Sequence, residues 1–174
     1  MKVTRRTRVG IALFGAAVLA IEGIIHRPQP AFCDFTKMAY QTPEFFNHYW
    51  GYRQHSSGQG YDIINGIRQP VEGTDYSPET DSSPPLSVTF YKGRAIRFMV
   101  TFPQPLTPSE TARRVGLRLS ALQPMPHKRS RYMPSAKYYT GVYKGVKYKE
   151  LFIDKLNYGE PKDRASLVIA YLAR

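Results

Sequence analysis

The sequence predicts an α+β domain: an antiparallel sheet of about four to five strands, two hairpins plus a C-terminal strand, with one or two helices packed on one face. Three observations carry this. Thirteen Tyr and fourteen Pro in 174 residues favour strands and turns over a helical bundle. Two segments alternate apolar and polar residues on both sides of a Lys-Gly pair. Between them, a proline-flanked segment carries the signals of a helix start. A chain of this length supports one domain with a real core and is too short for two ordinary ones.

In chain order, the first helix is expected after Thr42. Thr42 suits an N-cap, Pro43 the first helical position, and Glu44 the positive end of the helix. Phe45, Phe46, Tyr49 and Tyr52 or Trp50 then give an apolar stripe at helical spacing, and Gly51 limits its length. HSSGQG reads as a loop, and Asn65-Gly66 as a strong turn pair. Residues 71–85 are acidic and rich in Ser and Pro, and are expected to form an exposed loop. Around Lys92-Gly93-Arg94, Val88 and Phe90 share a face with Ile96, Phe98, Val100 and Phe102, while Thr89, Arg97 and Thr101 point the other way. Thr107, Pro108 and Glu110 then set a capping box, and Gly116 ends that helix early. A second hairpin turns near Lys144-Gly145, residues 157–161 form another turn, and ASLVIAYLA is the final apolar strand. Phe90, Phe98, Phe102, Phe152 and Ile169 are the expected core.

The first 33 residues are set apart. Lys2, Arg5, Arg6 and Arg8 precede an uncharged run over residues 9–21, and Glu22 interrupts it. A basic start and a short apolar run make a signal-peptide pattern, with an uncleaved N-terminal anchor as the alternative. The expected organisation is a signal or anchor over residues 1–33 and one domain over residues 34–174. The protein is then exported, to a periplasmic, lumenal or extracellular space, or held at the membrane through residues 9–25. Cys33 is the only cysteine, which rules out an intramolecular disulfide.

Charge is unevenly spread. Residues 34–90 hold 3 basic and 7 acidic side chains, net −4; residues 91–174 hold 17 basic and 5 acidic, net +12. A basic C-terminal half attracts anionic lipid, acidic glycan or an acidic protein face. Nucleic acid is not the expected partner of an exported chain. The basic candidates are Arg113, Arg114 and Arg118 on or after the capped helix, Lys128, Arg129 and Arg131 in one loop, and Lys147 with its neighbours Lys144 and Lys149. Trp50 with Tyr52 is a candidate stacking platform for sugar rings, although aromatics on such a helix more often dock it onto a sheet.

Catalytic signals are sparse. There is no GxSxG elbow, no HExxH pair and no phosphate-binding glycine loop, so neither a metal nor a cofactor is expected. The function expected is a small non-enzymatic binding or accessory domain of the cell envelope. The alternative is an exported hydrolase of an envelope polymer, using His48 or His55 with Asp62 beside the aromatic platform.

Overall fold

The computed structural model describes residues 33–48, 52–78, 84–128, 130, 133–155 and 164–173. Eight strands form one antiparallel sheet: β1 (Tyr52–Ile64), β2 (Ile67–Pro78), β3 (Leu86–Tyr91), β4 (Arg94–Leu106), β5 (Gln123–Pro124), β6 (Lys137–Tyr143), β7 (Val146–Asp154) and β8 (Ala165–Leu172). Their order is β1-β2-β3-β4-β8-β7-β6-β5. The chain therefore lays down two four-stranded meanders and zips them together where β4 meets β8. Among the described residues, three α-helices accompany the sheet, α1 (Phe35–Met38), α2 (Pro43–Asn47) and α3 (Pro108–Arg114), with one 3-10 turn at Leu119–Ala121.

The expected antiparallel sheet with helices is present, but with eight strands rather than four or five. The extra strands come from segments read as loops. HSSGQG lies inside β1, and residues up to Pro78 of the acidic segment belong to β2. Ser, Gly and Gln make poor strand signals, yet the Asn65-Gly66 turn (φ 53° and 81°) sets up pairing over the full length of β1. Asp75, from the supposed acidic loop, accepts hydrogen bonds from Ser56 Oγ and Ser87 Oγ on the flanking strands. Residues 79–83 of that segment, the turn at 157–161 and the whole of residues 1–32 lie outside the described residues.

The main core sits on one face. Phe35, Met38 and Phe46 from the N-terminal helices are buried against Phe90, Phe98 and Val100. Phe35 stacks on Phe98 at 5.0 Å, and Phe46 meets Phe90 edge-on at 5.4 Å. Burial, with the carboxylates of Glu72 and Glu44 nearby, pushes the Tyr76 phenol up to about 12, and burial raises the Cys33 thiol and the Tyr148 phenol further. The five aromatic and aliphatic residues expected inside are buried. Two of them, Phe152 and Ile169, pack on the opposite face with Tyr138 and Leu167, because β8 is covered on both sides. The alternation of the first hairpin breaks once. Thr89 pairs with Arg97 and Phe90 with Ala95, so Ile96 is a bulge residue and Ala95 takes its place in the main core.

The second face is divided by its cross-strand rows. Ser56, Asp75 and Ser87 lie side by side on β1, β2 and β3. The same row continues through Met99, Ile169, Phe152 and Tyr138 on β4, β8, β7 and β6. One half of this face is thus polar and the other apolar. At the far end of the sheet, Thr107 Oγ1 accepts from the Glu110 backbone N–H at 3.2 Å, as the capping box predicts. The α2 helix is shorter than its sequence stripe: it stops at Asn47, and Tyr52 begins a strand.

Candidate functional site

Among the described residues, the register places the two-residue turns at one end of the sheet. Asn65-Gly66 joins β1 to β2, Lys92-Gly93 joins β3 to β4, and Lys144-Gly145 joins β6 to β7. In each, both central residues have positive φ (50° and 68° at Lys92-Gly93, 48° and 79° at Lys144-Gly145), the geometry of a type I′ turn. The C-terminal end of β8 lies here too, since Ala173 donates its N–H to the Lys147 carbonyl at 2.8 Å. The longer connections, through residues 79–85, 107–122, 125–136 and 155–164, leave from the opposite end.

Each tight turn carries a tyrosine with a cation over its ring. The Arg68 guanidinium is 4.2 Å from the Tyr61 centroid, Lys92 Nζ is 5.3 Å from Tyr91, and Lys144 Nζ is 5.5 Å from Tyr143. Arg94, Lys147 and Lys149 are exposed at the same end. Among the described residues, none of Lys92, Lys144, Lys147 and Lys149 makes an ion pair. Of the carboxylates near this end, Asp62 is engaged with Arg97 at 3.5 Å and Glu150, further along β7, with Lys128, while Glu72 sits on the last β2–β3 pair. The field of the turn end is therefore positive.

The β1–β2 hairpin runs beyond the last β2–β3 pair, Glu72 with Phe90, as an arm paired only with itself from Gly60–Val71 to Ile64–Ile67. The Asp62–Arg97 contact draws this arm across the second face. Arg97 is held in turn by Thr89 Oγ1, which accepts from its Nε at 3.0 Å, and lies 5.6 Å from the Tyr171 ring. Between the arm tip and the sheet is a cleft of about 250 Å³ lined by Asp62, Ile63, Ile64 and Asn65 on one side and Ile96, Lys149, Glu150 and Tyr171 on the other. The arm also exposes apolar side chains: Tyr61 is 66 % exposed, Ile63 59 % and Ile67 62 %. Val142, opposite Lys147 in the second hairpin, is 58 % exposed.

The residues singled out in sequence do not form one site. Tyr52 is buried and donates its hydroxyl to the Pro84 carbonyl at 2.7 Å, so it is a core residue and not a platform. Trp50, Arg129 and Arg131 lie outside the described residues. Arg113 sits on α3, 3.7 Å from Glu110; Arg114 ends the same helix, half-buried, and Arg118 follows it, exposed. Lys128 is spent on Glu150 and lies 5.4 Å from the Tyr138 ring. Lys147 alone of these stands at the turn end. His48 is exposed at the end of α2, and His55 is exposed on β1. His55 and Asp62 are seven positions apart on one strand, which separates them by about 20 Å, so the structure does not assemble that pair. Among the described residues, no group of three His, Cys, Asp or Glu side chains could hold a metal ion, and no helix is long and apolar enough to cross a membrane.

Arg68, Lys92 and Arg94 belong to the cluster and were not anticipated. The repeated Tyr-Lys-Gly at residues 91–93 and 143–145 was the available signal. No protein-family model, curated protein or solved structure matches the chain.

Proposed function

We propose that this is a non-enzymatic binding domain of the cell envelope, exported or membrane-anchored, that holds an anionic partner against the turn end of its sheet. The partner presents phosphate or carboxylate groups, as lipid headgroups and acidic polymers both do. The observation that carries this reading is the convergence of three tyrosine–cation turns from distant parts of the sequence on one end of the fold. Turn chemistry adds support. Lys92 and Lys144 occupy left-handed positions that Asn or Gly fills at lower cost, as Asn65 does in the third turn. A residue that breaks a local preference without a packing reason points to selection for its charge.

The test uses dextran sulfate as the polyanion and the full chain. Lys144→Glu with Lys147→Glu changes the charge at the turn end. Lys137→Glu with Arg164→Glu makes the same change at the other end, where both residues are exposed. The first pair is expected to weaken binding at least tenfold at low salt, and the second less than twofold. Equal losses would mean that net charge alone governs binding and would overturn the proposal.

A further inference from the structure

Resting on that reading, we infer that the anionic partner is a bilayer surface, into whose interface the tip of the β1–β2 arm inserts. A soluble polyanion is satisfied by cations alone and gives no reason for aliphatic side chains beside them. Scattered exposed apolar residues are ordinary. Here, four of the five large apolar side chains that the described residues expose, Tyr61, Ile63, Ile67 and Val142, stand at the end that gathers the cations. Anionic headgroups with hydrocarbon behind them match that combination, in which apolar burial and electrostatic attraction add.

The arm is built to enter such a layer. Its backbone groups near the tip are paired across the hairpin, Ile63 with Arg68 and Ile64 with Ile67, which limits the cost of leaving water. Asn65-Gly66 turns the chain within two residues. Tyr61 carries an apolar ring with a polar end, which suits headgroup depth, and Arg68 over it can keep its charge among the phosphates. Asp62, the one carboxylate on the arm, is turned inward to Arg97. An acid engaged by Arg97, exposed aliphatics and flanking cations together suit contact with an anionic membrane.

The experiment reads depth at single positions, so attachment through residues 9–25 does not decide it. In the full chain, Ile67→Cys is labelled with an environment-sensitive fluorophore, and Arg164→Cys at the far end is the control; the native Cys33 is fully buried. Vesicles of phosphatidylcholine with 30 % phosphatidylglycerol, as the stated probe composition, are compared with phosphatidylcholine alone. The expected result is a blue shift of roughly 10 nm or more at position 67 on the anionic vesicles, quenched by spin-labelled acyl chains, with no change at position 164. Lys144→Glu with Lys147→Glu should abolish the shift. An unshifted probe at position 67 on anionic vesicles would overturn the inference. If dextran sulfate binding persisted in that case, the partner would be an acidic polymer and the broader proposal would stand. If it too were absent, both would fall.

Discussion

The two ends of this sheet are built on opposite principles. At one end, three hairpins close in two residues each, and their side chains are tyrosines, lysines, arginines and exposed aliphatics. At the other, the strands are joined by longer connections, and the described residues there include a capped helix and Ser135, whose Oγ donates to Asp154 at 2.7 Å. Binding chemistry usually resides on long loops carried by a rigid scaffold. In this domain, the short turns carry exposed lysines of their own, because an antiparallel meander returns its hairpin turns to the same side. Rigid turns lose little conformational freedom on binding, which favours a fixed arrangement of charge.

This contrast can be broken or sharpened by substitutions whose effects separate stability from binding. The largest change is expected in the core that both ends share. Phe46→Ala removes a ring in contact with Phe90 and Tyr76 and should cost about 3–5 kcal/mol by urea unfolding, with polyanion affinity unchanged for the fraction that remains folded. Next, at the far end, Thr107→Ala removes the α3 cap and should cost about 1 kcal/mol, again without an effect on binding. Alkaline titration tests the core tyrosines. Tyr76 is raised to about 12 in the folded state, so the unfolded chain ionises first. Its contribution is whole below pH 10 and is lost as pH rises from 10 to about 12. The melting temperature should fall over that window, and Tyr76→Phe should flatten the fall.

The smallest effect is the most discriminating. Lys92→Asn with Lys144→Asn relieves two left-handed lysines and should stabilise the fold by a few tenths to about 1 kcal/mol. The same double variant should bind dextran sulfate more weakly. A gain in stability with a loss of affinity would mark the two turns as places where charge was kept at the expense of backbone comfort. A gain in stability with unchanged affinity would leave the near end no different from the far one.

How far the sequence foretold this depends on the kind of signal each element carries. The Lys-Gly hairpins, the Thr107 cap and the apolar run of β8 were legible, since turn chemistry, capping and burial on both faces write themselves into local pattern. β1 was not: Gln54 to Gln59 are exposed, so no buried face imposes a period of two on them. Their strand is an edge strand held by pairing with β2, a property of the partner as much as of the residues. The candidate site failed to show for a related reason. Arg68, Lys92 and Lys144 are far apart in sequence, and only the strand order and register bring their turns to one end. Reading charge along the chain pointed to a basic C-terminal half, whereas the folded sheet sorts Arg68, Lys92 and Lys144 to one end whichever half they come from.

The most direct test of that sorting is residue-resolved. Lysine acetylation of the full chain, with and without saturating dextran sulfate, can be quantified by peptide mass spectrometry. We predict that Lys92, Lys144, Lys147 and Lys149 become protected by the polyanion while Lys137, exposed on β6 at the far end, does not. Equal protection of Lys137, or protection of none of the turn-end lysines under conditions where dextran sulfate is bound, would contradict the assignment of the binding surface to that end.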